Sequence, residues 1–213
     1  ANGYTRINKP VEVQLNFSTL FEDAGRVTSF SEKSLQVVEV NTLGEVLNSR
    51  VPFQFEKATE FETGKEALGT LVFLMTGTTA PGQSRYFRLS FDDKDHPHNP
   101  VKSLLSIQEV GEYEGSKAYE INTPTAQYYY HISCGGFASI IDSEGNDWVS
   151  YHPNKEPDSG FKGRYRGIPN IAPPGLHPGT EEPVKSSRII TEGPVRISIL
   201  TETENKLWRA KWD

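Results

Sequence analysis

The chain has 213 residues, of which 35% are hydrophobic, 23% charged and 11% aromatic, a globular composition for one large or two small domains. Its formal net charge of -6 argues against a nucleic-acid partner, because phosphate binding calls for a basic surface. No apolar run approaches the roughly 20 residues that span a bilayer, so no membrane partner is expected.

The chain opens on Ala1, which fits removal of a signal peptide and fits a trimmed chain equally well. Cys134 is the only cysteine, so no intrachain disulfide can form and the redox compartment stays open. The sequon Asn16-Phe17-Ser18 carries no weight, since such triplets are common by chance.

Period two dominates from the start. Val11 to Phe17 alternates cleanly, which places its apolar side chains on one face of a half-buried strand. Ser18 to Gly25 has room for a turn or short helix, and so does Lys57 to Ala67. Leu35 to Val40, Val51 to Phe55 and Gly69 to Met75 read as more fully buried strands. Arg85 to Phe91 alternates again, with Phe87, Leu89 and Phe91 inward. The fold class is all-β.

After Phe91 comes a charged, proline-bearing run, Asp92-Asp93-Lys94-Asp95-His96-Pro97-His98-Asn99-Pro100, with no period. The chain is therefore divided into an N-terminal β-sandwich over 1–95, a linker or long connection over 96–117, and a second antiparallel β unit over 118–213. The N-terminal unit is read as a supporting or sugar-binding sandwich.

The second unit begins with Tyr119 to Ser133, where Tyr128, Tyr130 and Ile132 share a face. A hairpin follows, with arms Phe137–Ile141 and Asp147–Tyr151 around the turn Asp142–Asn146. After a long loop come Val195-Ile197-Ile199 and Trp208-Ala210-Trp212 as two further strands. Apolar alternation runs up to Asp213, so the second unit is expected to be incomplete and the remainder of a larger chain to be a partner.

Three features, Gly135-Gly136-Phe137-Ala138-Ser139-Ile140-Ile141-Asp142, the turn Gly145-Asn146-Asp147-Trp148 and the strand entry Gly193-Pro194-Val195, carry a resemblance. The last hundred residues or so resemble the opening of galactose-mutarotase-like β-sandwich domains of secreted carbohydrate-active proteins, polysaccharide lyases among them. The resemblance implies a polysaccharide or oligosaccharide ligand and a secreted or periplasmic location.

The loop Arg164 to Gly179, RYRGIPNIAPPGLHPG, gathers the groups a lyase would need. β-Elimination from a uronic-acid glycan requires a carboxylate to be neutralised and the neighbouring proton removed. Arg and Asn suit the first task, His or Tyr the second. Arg166 and Asn170 are the candidate carboxylate binders, and His177 or Tyr165 the candidate for proton transfer. The competing reading is structural: arginines in irregular loops often satisfy backbone carbonyls, and His-Pro-Gly is ordinary turn chemistry.

Trp148, Tyr151, His152 and Arg164 are candidate substrate contacts, since flat rings stack on sugar faces. Trp148 nevertheless reads first as core, because a strand tryptophan usually is. Asp92, Asp93, Asp95, His96, His98 and Asn99 would suit a divalent cation such as calcium. They lack an EF-hand's glycine and terminal Glu, and a solvated connection is the stronger reading.

Neither a G-x-S-x-G elbow, a P-loop nor a Rossmann fingerprint occurs. The leading expectation is a polysaccharide lyase. The alternatives are a non-catalytic carbohydrate-binding module and a structural or adhesive β-sandwich.

Overall fold

The computed structural model describes residues 3–62, 64–96, 101–133, 135–149, 184–203 and 209–213. They form an all-β fold of antiparallel sheets. The chain divides into two compact units: residues 1–103 with 193–195, and residues 104–192 with 196–213.

Unit 1 contains β1 (Arg6–Asn16), α1 (Phe17–Asp23), β2 (Ser31–Val40), β3 (Val46–Asn48), β4 (Phe53–Lys57), β5 (Leu68–Thr79) and β6 (Tyr86–Asp92). One sheet has the order β1-β5-β4 and the other β3-β2-β6. Val37 of β2 packs with Leu71 and Phe73 of β5, and Leu89 of β6 joins them, so the two sheets face each other as a sandwich.

The alternation of β1 stops where α1 starts, and Asn16 makes the change. Its side chain accepts the backbone N–H groups of Ser18 and Thr19, satisfying donors that a helix start leaves open. Phe17 is thereby turned into the core, stacked on Phe30 at 3.9 Å, with the rings of Phe55 and Phe91 edge-on to it. Gly69 permits β4 to lie beside β5: a Cβ there would come within 2.4 Å of the Phe55 ring and 2.5 Å of the Glu56 carbonyl oxygen.

Of the turn or short helix expected over Lys57–Ala67, the turn forms. Gly64 adopts φ 106°, which a right-handed helix cannot contain, and the segment folds as turns closed by a Glu62–Glu66 bridge. The acidic run begins inside unit 1, where the N-terminal unit was expected to end near Asp95. Arg26 pairs with Asp92 at 2.9 Å, Thr28 donates to Asp93 at 2.7 Å, and Ser31 to Asp95 at 2.6 Å.

Unit 2 contains β7 (Ser106–Tyr113), β8 (Ser116–Asn122), β9 (Ala126–His131), β10 (Gly136–Asp142), β11 (Val184–Glu192), β12 (Ile197–Thr203) and β13 (Arg209–Trp212). Its sheets run β10-β9-β8-β7 and β11-β12-β13. Ile121 and Tyr130 of the first meet Ile199 of the second, with Tyr119, Tyr128, Phe137 and Trp212 around them. This too is a two-sheet sandwich.

The expected connection over 96–117 thus contains a full strand, β7. Its pairing with β8 shifts between Val110 and Tyr113, which breaks the period-two signal. Glu114 (φ 46°) and Gly115 (φ 85°) make the two-residue hairpin turn between the strands, where both positions need positive φ. Tyr119 to Ser133 resolves into two strands, with Thr123 closing the turn by accepting the Ala126 N–H through its hydroxyl.

Candidate functional site

In β8 and β9, alternate residues turn toward or away from the core of unit 2. Tyr119, Ile121, Tyr128 and Tyr130 go inward. Glu120, Asn122, Gln127 and Tyr129 therefore share the opposite face. Register brings them together: Glu120 lies opposite Tyr129 on β9 and opposite Gln108 on β7, while Asn122 lies opposite Gln127.

Glu120 is the centre of this face. Its Oε1 accepts the Asn122 amide at 3.1 Å and the Gln127 amide at 3.0 Å, and its Oε2 accepts Gln108 at 3.1 Å. Hydrogen bonds from Asn122 and Gln108, and after them Gln127, hold the carboxyl below the usual carboxylate range. Glu120 thus stays ionised and acts purely as an acceptor. Gln127 also donates to the Asn122 side-chain oxygen at 3.1 Å, which ties the row to itself.

Beside the row lies a tyrosine pair. Tyr129 stacks face to face on Tyr113, centroids 3.7 Å apart and planes 4° from parallel. Burial, then the charge of Glu120, pushes the Tyr129 phenol upward, so it remains a neutral hydroxyl. Half-buried rings flanked by fixed amides and a carboxylate offer an apolar surface and directional polar groups together.

A partly buried chain of hydrogen bonds supports the pair. Tyr113 Oη and Ser139 Oγ are 2.6 Å apart, and Ser139 Oγ is 2.6 Å from Asp147 Oδ2. A carboxylate only accepts, so Ser139 donates to Asp147 and Tyr113 donates to Ser139. Asp147 Oδ1 takes the backbone N–H groups of Ile140 and Val149. His131 lies fully buried next to them and is held below its ordinary pKa by desolvation. Its Nε2 donates to the Tyr113 carbonyl at 2.7 Å, since a carbonyl can only accept. Ser139 and His131 are both buried parts of the scaffold.

Trp148 was expected first in the core and is instead 73% exposed. The return arm of the hairpin is no full strand: Asp147 forms one bridge to Ile141, and Trp148 N–H reaches the Ile140 carbonyl. Asp147 turns its side chain to the sheet, leaving the indole outside. Trp148 Nε1 donates to Asp142 Oδ2 at 2.9 Å, which fixes the ring's orientation. Asp142 also accepts backbone N–H groups of Glu144 and Asn146 through Oδ1. Backbone donation from Asn146, then the bond from Trp148, lowers its pKa to about 2.

Of the candidate catalytic and substrate-binding residues Trp148 alone is described, while Asp92, Asp93, Asp95 and His96 of the candidate cation group also lie among the described residues. Tyr151, His152, Arg164, Tyr165, Arg166, Asn170 and His177 lie outside them, as do Cys134, His98 and Asn99. Among the described residues no group of three His, Cys, Asp or Glu is arranged to hold a metal ion, and no helix is long and apolar enough to cross a membrane.

The Glu120 row and the Tyr113–Tyr129 pair were not foreseen. One signal for them was present, because inward Tyr128 and Tyr130 require Gln127 and Tyr129 to face outward. Comparison of the chain with protein-family models, with curated proteins and with solved structures gives no match in any of the three.

Proposed function

We propose that unit 2 is a carbohydrate-binding β-sandwich that holds a glycan on the outer face of its four-stranded sheet. The observation that carries this reading is Glu120 fixed by three side-chain amides beside the Tyr113–Tyr129 stack. A sugar ring presents apolar C–H faces and a rim of hydroxyls, and needs rings and directed polar groups side by side. The row is hydrogen-bonded before any ligand arrives, so little side-chain entropy is lost on binding. Trp148, exposed and oriented by Asp142, is a second stacking ring on the same sheet's edge turn. The resemblance of residues 135–148 and 193–195 to galactose-mutarotase-like domains favours the same ligand class. A glycan ligand in turn fits a secreted or periplasmic protein.

Affinity electrophoresis through soluble polysaccharides tests the reading. Tyr129→Ala should weaken retention roughly tenfold or more, as loss of a central aromatic contact does. Gln108→Ala, at an exposed position, should weaken it by a few fold while leaving the melting temperature in place. Retention unchanged in both variants would remove this face from the account.

Cleavage of a uronic-acid glycan by β-elimination is a separate, catalytic reading that does not use the Glu120 face. It rests on Arg166, Asn170, His177 and Tyr165, and its test is the ultraviolet absorbance of an unsaturated uronate product. Loss of that signal in Arg166→Ala or His177→Ala would place a lyase site in their loop.

A further inference from the structure

We propose that the Glu120 face selects an uncharged or amine-bearing glycan and turns carboxylated glycans away, an inference that rests on the glycan-binding reading above. Two observations carry it. The first is local: every side-chain partner of Glu120 in the row, Gln108, Asn122 and Gln127, is a neutral amide. Amides orient the carboxylate and keep it ionised without cancelling its charge. A uronate seated on the row would bring a second carboxylate against the first, and like charges at an interface count strongly against a partner.

The second observation covers the whole sheet. Between residues 106 and 147 the chain carries seven carboxylates, Glu109, Glu112, Glu114, Glu120, Asp142, Glu144 and Asp147, and a single cation, Lys117. That lysine is turned to Glu109, with Nζ 3.4 Å from its carboxylate. This stretch of the chain thus carries a formal excess of negative charge, in keeping with the chain's net charge of -6. It slows the approach of a polyanion and favours a cationic one.

Hydroxyl recognition needs no cation here. An ionised carboxylate offers about four lone-pair sites, and the row occupies three of those on Glu120. A ligand hydroxyl can donate to the fourth. An ammonium in the same place gains the full charge interaction, as charge-assisted hydrogen bonds do.

The test compares three β-1,4-linked oligosaccharides that differ only in substituent: glucose, glucosamine and glucuronate oligomers. Affinities are measured by calorimetry on the full chain at low and at physiological salt. Glucosamine oligomers should bind as tightly as glucose oligomers or tighter, and glucuronate oligomers at least about tenfold more weakly. Added salt should improve glucuronate binding, because screening over a Debye length of about 8 Å at physiological salt weakens repulsion. Glu120→Gln should narrow the gap, weakening the neutral ligand by a few fold and strengthening the glucuronate.

Glucuronate binding as tight as that of glucose at low salt would overturn the selectivity and leave the binding face intact. Binding of none of the three would remove the face as a glycan site, and the selectivity with it.

Discussion

Phenylalanines fill the space between the sheets of unit 1, whereas tyrosines fill much of it in unit 2. In unit 1 Phe17, Phe21, Phe30, Phe55 and Phe91 pack ring against ring with no polar atom to satisfy. Unit 1 also holds a largely buried bidentate pair, Arg85 with Glu39, both bonds 2.7 Å long. In unit 2 Tyr130 is fully buried and carries its hydroxyl to Thr201 at 2.6 Å, and Thr201 is shared with Ser187 at 2.8 Å. A buried hydroxyl must be hydrogen-bonded or it costs stability, so these contacts constrain how β9 meets the sheet of β11 and β12. The same strand places Tyr129 on the outer face. Unit 1 therefore reads as a packed scaffold and unit 2 as a sandwich that positions polar groups on both sides of one sheet.

The sharpest way to break this contrast is to remove the fully buried Phe17 ring, which three other rings touch. Phe17→Ala should cost about 3–5 kcal/mol in chemical denaturation, the range for deleting a buried aromatic. A loss below about 1 kcal/mol would mean that the phenylalanine cluster does not hold unit 1 together.

The next comparison lies within one strand. Tyr130→Phe removes one hydrogen bond from the Thr201 hydroxyl, which keeps its bond to Ser187, and should cost about 1 kcal/mol. Tyr129→Phe should change stability by less than about 0.5 kcal/mol and act on glycan affinity alone. Desolvation pushes the Tyr130 phenol from its ordinary value of 10.0 up to about 12. Folding therefore loses stability as pH rises from 10 toward 12, where the unfolded chain ionises first. Tyr130→Phe should flatten that alkaline slope, and an unchanged slope would assign it to other groups.

The smallest effect concerns the Trp148 turn. Asp142 has its pKa depressed from 3.8 to about 2, so its hydrogen bonds are present above pH 4 and lost as pH falls toward 2. Trp148 fluorescence should shift over that window and should not shift in Asp142→Asn. A transition that persists in Asp142→Asn would detach the indole from this carboxylate.

Period two made most strands legible, and the physical reason is burial of one face. Val11 and Leu15 pack on the core with Val13 between them 39% exposed, and Gly69 to Met75 lies in the central strand of its sheet. Where a strand bulges or is very short, that signal disappears. Ile107, Val110 and Tyr113 are spaced by three because β7 changes register between the last two. Val46–Asn48 is too brief to show any period. The site was less legible still. The outward direction of Tyr129 follows from its neighbours, but the meeting of Gln108, Glu120 and Gln127 depends on cross-strand register, which bulges and turns set. Trp148 was misjudged because the arm carrying it was read as a strand.

The most direct measurement is an amide NMR titration of the full chain with a neutral glucose oligosaccharide. The account predicts shifts centred on Gln108, Glu120, Gln127 and Tyr129, with a smaller change at the Trp148 indole and none in β1 to β6. Shifts centred on unit 1, or a spectrum unchanged at high ligand concentration, would contradict the assignment of glycan binding to the outer face of unit 2.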